Sequence, residues 1–298
     1  MAEAALARVP LVQIPAPSPT DPFIKWVGGK RRLLPQLEPL MPPGVERRRH
    51  VEPFVGGGAF FFAQAPRDAL LCDVNPALVT TYEAVRDELD SVISGLAALA
   101  RRHGKESYYA VRERYNAART GKKSVSKASQ AAMFIYLNKT CFNGLHRVNR
   151  KGEFNVPMGR YKNPRILDED RLRSASASLQ SAQIRCEGFE GLLRTAKPGD
   201  FIYLDPPYEP VSRTASFTGY AKNGFSQDDQ VRLRDVFAAL DKRGCKLMLS
   251  NSDVPFIREL YADWPTHLVQ AARAVNSDAS GRGKVSEVVV TSYRAFRD

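Results

Sequence analysis

The segment Asp205-Pro206-Pro207-Tyr208 carries the sharpest chemistry in this chain. Two consecutive prolines fix the backbone and remove two N–H donors. The carbonyls left behind can only accept hydrogen bonds, and so can an ionised carboxylate. The complementary guest is a planar amino group, with one N–H directed to Asp205 and the other to the Pro206 carbonyl. Such a grip draws electron density onto the amine nitrogen and aims its lone pair outward. Tyr208 can stack on the ring that carries the amine. On its own, the tetrapeptide also fits a plain turn after a strand, because Asp-Pro and Pro-Pro are common breakers.

Three further segments have the composition of a nucleotide-type pocket. Glu52-Pro53-Phe54-Val55-Gly56-Gly57-Gly58 ends in three glycines, which allow a sharp turn and close approach of a ligand. It does not fit G-x-G-x-x-G, so a nicotinamide fingerprint is not supported. Asp73 stands about 15 residues later, at the tip of the next apolar run, where nucleotide folds bind ribose hydroxyls. A helix-capping role is the alternative, since Asn75-Pro76 follows. Phe23-Ile24-Lys25-Trp26-Val27-Gly28-Gly29-Lys30 sets two lysines among glycines and a tryptophan. Its lysines could reach a carboxylate, a phosphate or a base edge, or form a solvated turn.

These residues need a sheet to bring them together. Val51–Phe54, Leu70–Val74 and Phe201–Leu204 are short apolar runs bounded by Gly, Pro or Asp, as expected of buried parallel strands with chemistry at their C-terminal ends. Gln227 to Leu240 has helical spacing, and Lys246–Ser250 and Glu287–Tyr293 read as further strands. Between them, residues 81–181 form a basic, mostly helical block. One amphipathic helix is expected over 82–101, a second near 106–119 and a third over 126–138. A hairpin is expected next, with strands 144–149 and 152–156 turning at Arg150-Lys151-Gly152. Residues 1–20 are rich in Ala and Pro and read as a flexible tail.

Composition narrows the partners. The 298 residues carry a formal net charge of +12, which favours a polyanion, because each neutralised phosphate releases condensed counterions. The four cysteines stand far apart and the four histidines form no H-x-x-H or H-E-x-x-H set, so no metal is expected. Scattered cysteines, no secretion signal and no apolar run of about 18–20 residues point to the cytoplasm and away from a membrane. The H-x-E and P-C-x-x-C pair of nucleobase deaminases is absent, and a nuclease would need a carboxylate cluster that is not evident.

Together these segments resemble the Dam-type DNA adenine methyltransferases, of the class with an insert ahead of the catalytic tetrapeptide. The resemblance runs from about Phe23 to Tyr293. Its most specific stretch is the run from Asn138 to Tyr161, Asn-Lys-Thr-Cys-Phe-Asn-Gly-Leu-His-Arg-Val-Asn-Arg-Lys-Gly-Glu-Phe-Asn-Val-Pro-Met-Gly-Arg-Tyr, with Ser212–Tyr220 a second match. The resemblance implies an α/β fold: a Rossmann-like S-adenosylmethionine-dependent methyltransferase sheet with an inserted, mostly helical target-recognition domain carrying a β-hairpin. Residues 21–80 and 182–298 would form the catalytic domain, and 81–181 the insert. It also implies that Trp26, Gly28, Lys30, Pro53, Phe54, Gly56, Gly58, Asp73, Phe189 and Asp205 line the S-adenosyl-L-methionine pocket. Asp205, Pro206, Pro207 and Tyr208 would hold the target adenine, in a duplex recognised through Lys25, Phe142, Asn143, Leu145, Arg147, Pro157 and Tyr161.

GATC is the implied recognition sequence, and a monomer acting without metal is expected. The family often has Asp-Phe in its third motif where this chain has Glu187-Gly188-Phe189, so Glu187 would replace the aspartate. Between Asn276 and Lys284 a Gly/Ser/Arg loop matches in character. Two rivals share some of these features. A methyltransferase for RNA or for protein glutamine can use a similar Pro-Pro tetrapeptide but does not need the basic insert. A non-catalytic DNA-binding protein would not need the glycine turn, Asp73 and the tetrapeptide together.

Overall fold

The computed structural model describes residues 18–211, 225–272 and 284–295. The expected matches at Ser212–Tyr220 and in the loop after Asn276 lie outside them, as does most of the N-terminal tail. The seven strands of the sheet are β1 (His50–Glu52), β2 (Ala69–Cys72), β3 (Ala182–Arg185), β4 (Phe201–Leu204), β5 (Lys246–Ser252), β6 (Thr266–Ala272) and β7 (Lys284–Thr291). The helices are α1 (Leu34–Leu37), α2 (Ala59–Gln64), α3 (Pro76–Asp87), α4 (Leu89–Arg101), α5 (Lys105–Arg119), α6 (Lys127–Thr140), α7 (Glu169–Leu179), α8 (Leu192–Thr195), α9 (Gln227–Lys242) and α10 (Pro255–Leu260).

The strand order is β3-β2-β1-β4-β5-β7-β6. The first five are parallel, and β7 runs antiparallel to both β5 and β6. This is a Rossmann-like methyltransferase sheet. The chain winds outward from β1 to β3 and then returns to place β4 on the other side of β1. The β1/β4 boundary is therefore the switch point at which open α/β sheets bind ligands.

Period-two alternation divides the sheet residues between two faces. Ile202, Leu204, Leu247 and Leu249 join α9 residues Leu233, Val236, Phe237 and Leu240 on one side. Phe201, Tyr203 and Met248 join Leu33, Leu37 and Phe60 on the other. Leu71 and Ala69 share a core with Leu78, Tyr82, Val92, Leu96, Tyr108, Tyr115 and Phe134. The helical block after residue 81 is thus built onto the sheet through one continuous apolar cluster.

One local expectation is corrected and another is found in shorter form. The helix expected over 82–101 is two, α3 and α4, because the backbone leaves helical geometry at Glu88 (φ −130°, ψ 34°). The apolar stripe continues across the break, since Tyr82, Val85, Val92 and Leu96 all enter one core. Asp90 in the first turn of α4 suits a fresh helix start. The expected hairpin over 144–149 and 152–156 is present but short: Val148 bridges Phe154, Asn149 N donates to the Glu153 carbonyl at 2.9 Å and Asn155 N to the Arg147 carbonyl at 3.1 Å. Helix α5 holds the outer edge of its second arm. Asn116 bonds both N–H and C=O of Phe154, and the Tyr108 hydroxyl donates to the Val156 carbonyl at 2.8 Å. The turn is held by the Asn149 side chain, which accepts from the N–H groups of Lys151 and Glu153.

Candidate active site and nucleic-acid face

The C-terminal ends of β1 and β4 lie side by side, and each predicted pocket segment begins there or packs beside it. Lys30 is buried, 5% exposed, in the short helical turn Lys30–Arg32. Its Nζ lies 2.7 Å from Asp205 Oδ1, donates to the Gly28 carbonyl at 2.8 Å and sits 4.6 Å from the Tyr208 ring centroid. Burial pushes the Asp205 carboxyl pKa up, and the Lys30 ammonium pulls it back. This ion pair joins two predicted pocket residues through Asp205 Oδ1. Asp205 Oδ2 accepts no hydrogen bond from the described residues. A guest amine therefore has an acceptor beside the lysine rather than in place of it.

The glycine turn is shaped by what presses on it. Gly56 and Gly58 adopt φ of 48° and 68°. A Cβ on Gly56 would stand 2.8 Å from Trp26 Cδ1, and one on Gly57 would stand 2.9 Å from Trp26 Cβ. On Gly58 it would meet the Tyr82 hydroxyl at 2.9 Å and the Phe62 ring at 3.0 Å. Both left-handed backbone and steric contact resist any side chain there. Gly58→Ala is expected to cost about 1–3 kcal/mol in urea denaturation. An unchanged midpoint would mean that Tyr82 and Phe62 yield freely.

Asp73 closes the turn from the other side. Its Oδ2 accepts from Gly56 N at 3.1 Å and its Oδ1 from Asn75 N at 2.9 Å. Asn75, not Asp73, caps α3 by accepting from Ala77 N. Burial raises the Asp73 pKa and those two N–H groups lower it. Each carboxylate oxygen keeps lone-pair capacity for a further donor such as a ribose hydroxyl. Phe54 stacks on Phe189 with centroids 5.7 Å apart, and Phe225 contacts both rings at 5.7 Å. Glu187 is ion-paired with Arg194. The C-terminal edge of β1, β2 and β4 thus carries an aromatic cluster, an acidic side chain and a glycine turn in proximity.

The predicted DNA contacts form a second group, set where α6 meets the Lys25 segment. Buried Asn138 on α6 ties them together. Its Oδ1 accepts from Lys25 N at 2.8 Å, and its Nδ2 donates to the carbonyls of Lys25 at 2.7 Å and Gly144 at 3.1 Å. Lys25 Nζ then lies 4.2 Å over the Tyr161 ring. Phe142 is 49% exposed and Asn143 stands in the left-handed region at φ 53° beside it, so both project from the end of α6. Pro157 is exposed, Leu145 is partly buried, and exposed Arg147 is oriented by an Nε bond to Asn155 Oδ1 at 2.8 Å. Trp26 links the two groups, touching the glycine turn on one side and stacking on His146 at 5.6 Å on the other. Burial pushes the His146 pKa down to about 4, so the ring is neutral at physiological pH.

Three contributors escaped the sequence reading. Glu287 on β7 accepts from the Tyr208 hydroxyl at 2.8 Å, although it is 79 residues away in sequence. Its carboxyl pKa is raised by burial and lowered by Lys30. Asn138 lies inside the most specific motif, yet its clasp on Lys25 spans 113 residues. Phe225 completes the aromatic wall. Their only sequence signal is an acidic residue, an amide or an aromatic in an otherwise ordinary element. No group of three or more His, Cys, Asp or Glu side chains that could hold a metal occurs among the described residues, and no described helix is long and apolar enough to cross a membrane.

Comparison with known proteins places the chain in a family. Residues 26–275 match the D12 class N6 adenine-specific DNA methyltransferases. The chain is 45% identical over 275 residues to the Type II methyltransferase M1.LlaDCHI of Lactococcus lactis subsp. cremoris, covering 91% of this chain and 95% of that one. It is 40% identical over 288 residues to the Type II methyltransferase M.MjaIII of Methanocaldococcus jannaschii, covering 91% and 99%. It is 35% identical over 269 residues to the DNA adenine methylase of Escherichia coli, covering 90% and 93%. The chain belongs to the D12 class of N6 adenine-specific DNA methyltransferases.

Proposed function

We propose that the protein methylates the exocyclic N6 of an adenine flipped out of duplex DNA, at GATC, with S-adenosyl-L-methionine as donor. The observation that carries this reading is the pairing of Asp205 with Lys30 beside the glycine turn. It leaves Asp205 Oδ2 and the Pro206 carbonyl as acceptors next to a cleft fit for a nucleoside. The cleft suits the donor's parts. Phe54 and Phe189 can flank an adenine, Asp73 can accept from ribose hydroxyls, and Gly56 and Gly58 permit close backbone approach. When bound, the donor supplies a sulfonium-activated methyl group.

The protein's own task is to hold the acceptor. Flipping costs a few kcal/mol of unstacking and unpairing, which contacts in the pocket offset. Phe142 or Asn143, projecting from α6, would fill the gap left in the helix. Tyr208 would stack on the extruded base while Asp205 Oδ2 and the Pro206 carbonyl each take one N6–H. Those bonds oppose delocalisation of the amine lone pair into the ring and turn it toward the methyl carbon, with no covalent enzyme intermediate. Alignment of this kind is worth about 7–11 kcal/mol in favourable cases. Asp205 serves as acceptor and orienter more than as a strong base.

Residues 81–181 would act as the target-recognition unit. Lys25, Leu145, Arg147, Pro157 and Tyr161 would face the recognition sequence. Arg147→Ala is expected to relax choice at one base pair by roughly 1–3 kcal/mol. A panel of duplexes with single-base changes checks this, and unchanged discrimination would remove Arg147 as a reader. The function as a whole is tested by incubating the protein with plasmid and S-adenosyl-L-methionine and mapping the methylated bases. N6-methyladenine within GATC is expected. Modified adenines at another sequence would overturn the site assignment, and labelling of RNA or protein instead of DNA would overturn the substrate.

A further inference from the structure

Beyond β4 the Asp205–Pro210 segment has no regular secondary structure, and its three prolines, Pro206, Pro207 and Pro210, contribute no N–H group. Its shape must be held from outside. Two fully buried amides do this. Gln230 on α9 and Asn251 on β5 are each 0% exposed. Gln230 Nε2 donates to the Pro207 carbonyl at 3.0 Å. Asn251 Oδ1 accepts from Glu209 N at 3.1 Å. Between them, Asn251 Nδ2 donates to Gln230 Oε1 at 3.1 Å. Ser252 Oγ adds a bond to the Glu209 carbonyl at 2.6 Å.

The direction of every bond in this chain follows from its neighbours. A carbonyl at Pro207 can only accept, so the Gln230 NH2 group must face it. Its oxygen then faces Asn251, whose NH2 group must turn toward it. The Asn251 oxygen is left to meet the Glu209 N–H. Neither amide can flip without breaking two buried bonds, and each unmade bond in such a site is costly. The ring of Pro207 locks its φ and so ties the plane of the Pro206–Pro207 peptide to that of the Pro207 carbonyl. Pinning Pro207 toward α9 therefore fixes where the preceding Pro206 carbonyl points.

We infer that Gln230 and Asn251 are positioning residues for methyl transfer: together they lock the Pro206 carbonyl in place as the second acceptor for the target amine. This rests on the reading of Asp205–Tyr208 as the amine-holding segment. Among the described residues neither amide makes a hydrogen bond to the glycine turn, Asp73, Lys25 or Arg147, so cofactor and duplex affinities are expected to survive their replacement.

The test is single-turnover methyl transfer to a duplex oligonucleotide, alongside cofactor and duplex affinities and thermal denaturation, for Gln230→Met and Asn251→Asp. Gln230→Met removes the donor to Pro207. It is expected to slow transfer about 10- to 100-fold with both affinities within about twofold. Asn251→Asp keeps the acceptor for Glu209 N but loses the donor to Gln230, and a smaller slowing is expected. It remains informative should Gln230→Met fold poorly. A wild-type transfer rate in either folded variant, or a rate that falls only in step with affinity or melting temperature, overturns the inference. Asp205→Ala serves as the reference. If it is inactive while Gln230→Met is fully active, only the brace is lost. If Asp205→Ala is itself active, the amine-holding reading is lost.

Discussion

Asp205→Ala is expected to lower methyl transfer by about 10³-fold or more while S-adenosyl-L-methionine binding, followed by calorimetry, stays within several-fold of wild type. The asymmetry follows from the contacts. Asp205 meets Lys30 and faces the tetrapeptide side of the cleft, whereas the ledge proposed for the donor's ribose is Asp73, held by Gly56 and Asn75. Truncation removes an acceptor and leaves the buried Lys30 ammonium without its carboxylate. Asp205→Asn separates these losses, since an amide keeps one oxygen acceptor at the same place without the charge. An intermediate rate is expected for it. Turnover near wild type in the alanine variant would end the assignment of Asp205 to the reacting amine.

Lys30→Met is expected to act through the same carboxylate, with a dependence on pH that distinguishes it. Burial already holds the Asp205 pKa above its ordinary value, and Lys30 is the influence that lowers it. Without the ammonium the carboxyl binds its proton more tightly, so the ionised acceptor appears only at higher pH. The acid limb of the rate profile should move upward, and the gap from wild type should narrow as pH rises. Stability follows the opposite course. A carboxyl with a raised folded pKa binds its proton more tightly folded than unfolded, so ionising it costs stability as pH rises through that range. Loss of Lys30 enlarges this cost. The variant should be destabilised by about 3 kcal/mol above the folded pKa, with the deficit shrinking as pH falls through it. This is the low end for a broken buried pair, because the Asp205 side chain is 21% exposed. Urea denaturation across pH checks the sign, and a deficit independent of pH would mean that Lys30 acts by packing alone.

The candidate segments could be picked out in advance because each is local. Glycines needed for left-handed backbone, a strand running into Asp205 and an acidic tip after the second strand each occupy a few consecutive residues. Helices α5 and α6 were legible for the same reason, with ends set by nearby residues. The departures arose where a distant partner intervened. The 82–101 stripe is continuous in sequence, but the core accommodates it as two helices broken at Glu88. The hairpin around Val148 and Phe154 was legible from its turn residues, but not the α5 side chains that take the outward-facing backbone groups of Phe154 and Val156 and limit it to a short pair.

The order of residues by itself determined which groups are available: a carboxylate followed by prolines, a glycine turn after a strand, and a surplus of positive charge. Only the tertiary structure decided which side chains tune and brace them. Lys30 neutralises one oxygen of Asp205, Glu287 holds the Tyr208 hydroxyl, and Asn138 clasps Lys25 to the helical block. The physical reason is range. Backbone geometry is dictated by neighbours along the chain, whereas ion pairs and buried amide bonds form between groups that only the closed sheet brings within 3 Å.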